Sequence, residues 1–342
     1  MLRPYIFDLH QDVPYYIHLK ETWTPFNMAD DNRPGDLPEY MKANVKLIFT
    51  AVFPLANLYT PRRGEEISRL YKMRKTRLVV PTVSAPFTRA IELINTLYLI
   101  HEKYQDQVKL IMSREDLEGL LTDDRLGFLI SLEGTEALYD TTYLEIFYRL
   151  GIRAIGLTWN YDTRYAASCM SKKDYGLTGV GEELVMDMNR YGIIIDLAHS
   201  SKGTMLEAIE ISKKPVIISH SNYTRVVKHP RNVDDDILEA LSANRGVVGF
   251  TLIKSTLGRG GTIEALARHI TAVYENYGPD ILAIGTDYFG IKTPRDAKRI
   301  SALNRLWPIL LDNGLRETDI EKLAWRNAYR VIKENSKAWK GK

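Results

Sequence analysis

The sequence predicts a (β/α)8 barrel of the TIM type with extra C-terminal helices, as one barrel domain over residues 1–342. Three observations carry the fold. Eight short apolar runs start near residues 5, 45, 126, 152, 193, 215, 246 and 281. Helical patterns separate nearly all of them, and such alternation implies a parallel sheet covered on both faces. The length fits as well, since barrels often run to ~250 residues or more as one domain. An open doubly wound sheet is the competing arrangement. No Gly-x-Gly-x-x-Gly follows an early strand, which weighs against its dinucleotide-binding version.

Taken in order, Tyr5 to Leu9 reads as the first strand and runs into His10-Gln11-Asp12. A loop rich in Pro, Asp and Asn follows from Thr22 to Pro38. Val45 to Phe53 is the second strand, and Phe87 to Tyr104 is a helix. His101 lies near that helix's apolar face and reads as a packed histidine and not a ligand. Val108 to Met112 is a short extra strand, after which Ser113 caps a helix through Leu121. Leu126 to Leu132 is a strand ending at Glu133-Gly134, and Thr142 to Leu150 is a helix. Ile152 to Leu157 leads into Thr158-Trp159-Asn160. Val180 to Tyr191 is a helix closed by Gly192.

A strand–helix–strand unit follows. Ile193-Ile194-Ile195 leads to His199, Lys202 to Ser212 is helical, and Pro215 to Ser219 leads to His220. Asp235 to Asn244 is a helix started by the acidic trio Asp234 to Asp236, which complements the helix dipole. Gly246 to Leu252 is a strand. The glycine-rich stretch Gly258 to Gly261 lacks a Walker lysine and reads as a flexible loop. Thr262 caps a helix to Tyr277 with Leu266, Ile270, Val273 and Tyr277 inward; His269 falls off that stripe and is expected to be exposed. Ile281 to Gly285 is the last strand, leading to Asp287. Arg295 to Asn335 is helical apart from a turn at Asp312-Asn313-Gly314.

Composition excludes several classes. The net charge is +3, from 46 basic and 43 acidic residues, which gives no argument for nucleic acid or an anionic membrane as partner. No apolar run is long enough to span a bilayer. The N-terminus lacks a signal-peptide core, so a cytoplasmic location is expected. Cys169 is the only cysteine, which rules out an intrachain disulfide and thiolate zinc clusters.

In a barrel the C-terminal strand ends converge on one face, where catalysis sits. Those ends carry His10 and Asp12, Glu133, Trp159, His199, His220 and Asp287. Any one of these could be a satisfied structural residue. Five of them, His10, Asp12, Glu133, His199 and His220, are nitrogen or oxygen ligands suited to zinc or a similar divalent ion. Two imidazoles and a carboxylate can fill one site, and a further His and carboxylate a second. Two metals ~3.5–4 Å apart can hold a bridging hydroxide and polarise a carbonyl.

At these residues the sequence resembles the membrane (renal) dipeptidase family of binuclear zinc metallopeptidases, a branch of the metal-dependent amidohydrolases. The matching stretches are Asp8 to Asp12, Leu132-Glu133-Gly134, Gly176 to Ser201, Pro215 to Ser221, His229-Pro230-Arg231-Asn232-Val233 and Gly285-Thr286-Asp287. The resemblance implies two divalent metal ions per chain, with zinc the expected metal. It implies His10 and Asp12 on one ion, His199 and His220 on the other, and Glu133 between them. It implies that Arg231 holds the substrate's terminal carboxylate and that Asp287 shuttles the proton.

Two positions depart from the family's pattern. Trp159 stands where the family has a histidine that contacts the reacting carbonyl, and an indole donates one hydrogen bond but carries no proton. Phe289 stands where a second acid is usual. The expected function is therefore hydrolysis of a dipeptide-like small molecule, with Trp159 at the substrate. The alternatives are a metal-binding barrel that has lost catalysis and binds a ligand, or a hydrolase of a lactone or cyclic amide. Oligomeric state stays open, a homodimer being one option.

Overall fold

The structure, a computed structural model, describes residues 2–19, 25–55, 85–258 and 260–339. Its strands are β1 (Ile6–Gln11), β2 (Val45–Val52), β3 (Val108–Leu110), β4 (Leu126–Leu132), β5 (Ile152–Gly156), β6 (Ile194–Asp196), β7 (Ile217–Ser221), β8 (Val247–Phe250) and β9 (Leu282–Ile284). All pairings between them are parallel. The order β2-β1-β9-β8-β7-β6-β5-β4 closes on itself through β2 and β4, whose register runs from Leu47 against Gly127 to Val52 against Leu132. This is an eight-stranded barrel ringed by helices, as the alternation predicts. The short β3 lies outside the ring and pairs with the start of β4.

The strands read as unbroken apolar runs because they are buried on both faces. Every residue of β1, β2 and β4 is buried, the inner side against the barrel core and the outer side against helices. Closure also needs small residues inside. A side chain on Gly249 or Gly285 would meet the Ser219 carbonyl oxygen at 2.0 or 1.7 Å, so these glycines let β7, β8 and β9 approach.

Helix starts follow their caps. The side chains of Thr178, Asp234 and Thr262 each accept a backbone N–H from the first turn. Ser113 and Asp116 form a reciprocal capping box. The acidic trio behaves as a helix start: Asp234 caps and pairs with Lys202, while Asp235 accepts from Tyr223 and Tyr277. His101 is half-buried with its Nδ1 3.0 Å from the Val108 carbonyl oxygen, a structural partner.

Three expectations need correction or extension. His269 is fully buried, not exposed. The apolar face of Ile263–Tyr277 is wider than the stripe read from the sequence, and the Tyr223 and Leu257 backbones cover its flank. Helices Val13–Leu19 and Leu37–Ala43 frame the region expected to be loop; both are short and contain proline, so neither shows a helical period. Residues 22–24 of that loop, and Arg259 of the glycine-rich stretch, lie outside the described residues. The C-terminal stretch is mixed: a 3-10 turn at Ile300–Arg305, helices Leu306–Asp312 and Glu317–Glu321, a π turn at Lys322–Arg326, and helix Asn327–Ser336. Within it, Trp325 packs on Tyr5 and Phe7 of the barrel's first strand segment.

Candidate metal centre at the barrel mouth

The strand ends bring the expected residues together, but not all in the same way. His10 lies within β1 and Asp12 just after it; Glu133 follows β4 directly; His220 lies within β7. Whereas His220 lies inside its strand, His199 lies beyond the end of β6. It reaches the mouth because its own backbone turns left-handed, at φ 66°. Asp287 does the same after β9, at φ 65°, followed by Phe289 at φ 72°. Non-glycine residues rarely adopt this region, and such backbone strain clusters at functional sites.

The geometry centres on one carboxylate oxygen. Glu133 Oε1 lies 3.2 Å from His199 Nε2, 3.6 Å from His10 Nε2 and 3.7 Å from His220 Nε2. His10 Nε2 also lies 3.6 Å from Asp12 and 3.8 Å from Asp287. Three ligand triplets follow: Glu133 with His199 and His220, Glu133 with His10 and Asp12, and His10 with His220 and Asp287. Glu133 belongs to two of them.

The electrostatics are those of groups crowded out of water. Burial would push His10 down, but Glu133, Asp12 and Asp287 outweigh it and lift the imidazole to about 10. Burial raises Glu133 well above the usual carboxylate range and pushes Asp287 up to about 8. Burial, then the positive charges of Arg231 and His10, holds His199 and His220 well below the usual imidazole range. Those two are neutral and offer lone pairs.

The donor set fits divalent cations. His199 Nδ1 lies 2.8 Å from Asn160 Oδ1, an acceptor, so the proton sits on Nδ1 and the lone pair on Nε2. Ser219 Oγ engages His220 Nδ1 at 2.8 Å. The two Nε2 atoms then face each other at 3.0 Å, and His10 Nε2 is buried with no hydrogen-bond partner. Imidazole nitrogens and carboxylates crowd one point while His10 Nε2 keeps no hydrogen-bond partner, an arrangement suited to divalent ions.

Several supporting residues escape a strand-end reading. Asp8 accepts from the His10 N–H and, just past the end of the neighbouring strand β9, from the Thr286 N–H and hydroxyl. Asp196 accepts from Ala198 and Ser219 N–H groups, tying β6 to β7. An acid inside an apolar strand is the signal that could have found both. Gly290 covers Asp12 and Asp287: a side chain there would meet their oxygens at 2.2 and 2.7 Å.

A cleft of about 420 Å³ opens over the cluster. Arg231 lines it, with Nη2 donating to the His220 carbonyl oxygen at 3.1 Å and Nη1 buried without a partner. Trp159 lines it too, its ring 5.0 Å from Phe53 and 5.9 Å from His199. Phe289 packs on Tyr16, ring centres 5.0 Å apart. Among the described residues no helix is long and apolar enough to cross a membrane.

Ligand-type side chains gathered at the C-terminal mouth of a closed (β/α)8 barrel define a metal-dependent hydrolase. The profile of the membrane dipeptidase family, peptidase family M19, matches residues 1–341, and the chain belongs to that family. Dipeptidase verJ from Clonostachys rogersoniana is 30% identical over 341 residues, covering 96% of this chain and 83% of that protein. Dipeptidase tcpJ from Claviceps purpurea is 30% identical over 248 residues, 70% of this chain and 58% of the relative's length. A crystal structure of a metallopeptidase from Rhodobacter sphaeroides, liganded with a phosphinate mimic of the dipeptide L-Ala-D-Ala, shares the fold. Its TM-score is 0.83 at 22% identity, over 97% of this chain and 99% of that one.

Proposed function

We propose that the chain is a dinuclear, zinc-dependent hydrolase of dipeptides or closely related small amides. The observation that carries this reading is Glu133 Oε1, shared between the His199–His220 pair and the His10–Asp12 pair at 3.2–3.7 Å from three imidazole nitrogens. One carboxylate placed so is suited to serve two ions. His10 and Asp12 would hold one, His199 and His220 the other. When bound, the ions supply an activated water and polarise the amide carbonyl.

The chain's own residues do the rest. Arg231 Nη1, buried and unpartnered, offers a charge-assisted hydrogen bond to a substrate carboxylate. Asp287 takes the proton released as water adds to the carbonyl carbon. It returns that proton to the amide nitrogen as the C–N bond breaks, leaving a carboxylic acid and a free amine. Trp159 packs beside the reacting carbonyl and offers one N–H. The dipeptidase names of the relatives and the dipeptide mimic bound to the Rhodobacter protein support this substrate class.

Trp159 beside His199 favours one second reading, a metal-holding barrel without turnover that binds a ligand. Metal analysis and a substrate panel separate the two. The hydrolase reading expects close to two ions per chain and turnover of at least one L-L, L-D or N-acyl substrate. Two ions with no turnover on any amide or lactone would leave the binding reading in its place.

A further inference from the structure

The cleft accounts for one end of a substrate but not for a free amino terminus. Among the described residues lining it, Arg231 is the cation that can meet a carboxylate. The lining acids are Asp12, Glu133 and Asp287, and all three belong to the ligand triplets. Their near oxygens converge on His10 Nε2 at 3.6–3.8 Å. The Gly290 backbone covers Asp12 and Asp287 so closely that even a methyl group has no room. Much of the remaining lining is aromatic or aliphatic. Tyr15, Phe53 and Trp159 form a run of rings, with centres 6.3 Å apart for the first pair and 5.0 Å for the second. Ile253, Ile291 and Met170 also line the cleft.

We propose, building on the hydrolase reading above, that the preferred substrate is an N-acyl amino acid with a bulky apolar or aromatic acyl group, and not a dipeptide with a free α-ammonium. The amino-acid carboxylate sits on Arg231. The acyl chain lies against Phe53 and Trp159, where the described lining residues offer a charged ammonium no acid outside the ligand triplets. A ring face attracts an ammonium, but that attraction recovers only part of the hydration lost on entering the cleft. The reaction needs water alone: an O–C bond forms at the acyl carbon, the C–N bond breaks, and the products are an apolar carboxylic acid and an amino acid.

The test is a matched pair of substrates on the zinc-loaded full-length chain. N-(3-phenylpropanoyl)-alanine and phenylalanyl-alanine differ only in the α-ammonium. The acyl compound is expected to have a kcat/KM at least about tenfold higher at pH 7. The gap should narrow as the pH passes about 8 and the dipeptide's amino group loses its proton. Equal or better turnover of the dipeptide at pH 7 overturns the proposal while leaving the hydrolase reading intact. Turnover of neither, with metal bound, sinks the hydrolase reading itself and this proposal with it. Phe53→Ala should raise KM about tenfold more for the phenylpropanoyl compound than for N-acetyl-alanine. Equal increases on both would mean that the ring wall does not hold the acyl group.

Discussion

His269 and the three histidines at the barrel mouth are all buried, yet their nitrogens meet opposite surroundings. His269 is sealed between a helix and two loops. Its Nδ1 accepts the Tyr223 N–H at 3.1 Å and its Nε2 donates to the Leu257 carbonyl oxygen at 3.3 Å. Burial lowers its pKa to about 4, so it is neutral and finished as a hydrogen-bonding group. His10 presents a bare Nε2 to three carboxylates, and His199 and His220 turn their Nε2 atoms toward each other. Burial alone therefore does not separate a structural histidine from a ligand. What separates them is whether the protein satisfies both nitrogens or leaves one for something else.

The comparison breaks most sharply at the mouth. His220→Ala should remove metal from the centre and lower turnover by about 10³-fold or more, because in the proposed centre the neighbouring Glu133 carboxylate would serve both ions. The apo fold should survive, since the Nε2 removed is crowded and the hydrogen bond lost is the single one between Nδ1 and Ser219. Metal content, kcat and the apo melting temperature check this together; a variant that unfolds but binds metal when refolded would contradict it. Next in size is Asp287→Asn. It should keep both ions and lose about 10²–10⁴-fold in kcat through loss of proton transfer. An Asn variant that loses metal instead would move Asp287 from proton carrier to ligand, a role its triplet with His10 and His220 makes available.

At His269 the expected pattern reverses. His269→Leu leaves the Tyr223 N–H and the Leu257 carbonyl buried without partners, costing about 2–4 kcal/mol of stability. Metal content and kcat of the folded fraction should not change. The pH dependence has a definite sign. The folded pKa of about 4 lies below the ordinary imidazole value of 6.5, so the unfolded chain binds more protons between them. This contribution is present above pH 6.5 and is lost as the pH falls toward 4, and the Leu variant should not show that slope.

How much of this was legible in the sequence follows from what each signal depends on. The strands were legible because two-sided burial writes itself as unbroken apolar runs, as in Leu126–Leu132. The cluster at the mouth was legible because a barrel converts position at a strand end into convergence in space. The place of His199 was read for a partly wrong reason: it reaches the mouth through a left-handed turn beyond β6, which no apolar run encodes. Asn160, Ser219, Asp8 and Asp196 were not found, because they act through hydrogen bonds between strands whose register the sequence does not state. His269 was misread because a narrow stripe stood in for a helix face that loops from elsewhere in the chain also cover.

Glu136 gives the smallest effect and the most searching test of the comparison. It follows Glu133 closely, and both its carboxylate oxygens are buried without partners, as His10 Nε2 is. Gly134 makes room for it, since a side chain there would meet Glu136 Oε2 at 2.1 Å. Yet Glu136 neither lines the cleft nor joins a ligand triplet. Burial pushes its pKa from 4.5 to about 7. The fold then holds a proton that the unfolded chain has released, so stability is full below pH 4.5 and declines as the pH rises to about 7. Glu136→Gln should match the parent at pH 4.5 and exceed it above pH 7, by about 3 kcal/mol at most, with metal content unchanged. Denaturant unfolding of the apo proteins at both pH values measures it. If the Gln variant gains no stability but loses metal or turnover, the unpartnered carboxylate belongs to the centre. If it gains stability and keeps both, an unsatisfied buried group marks a ligand only where other donors converge on the same point.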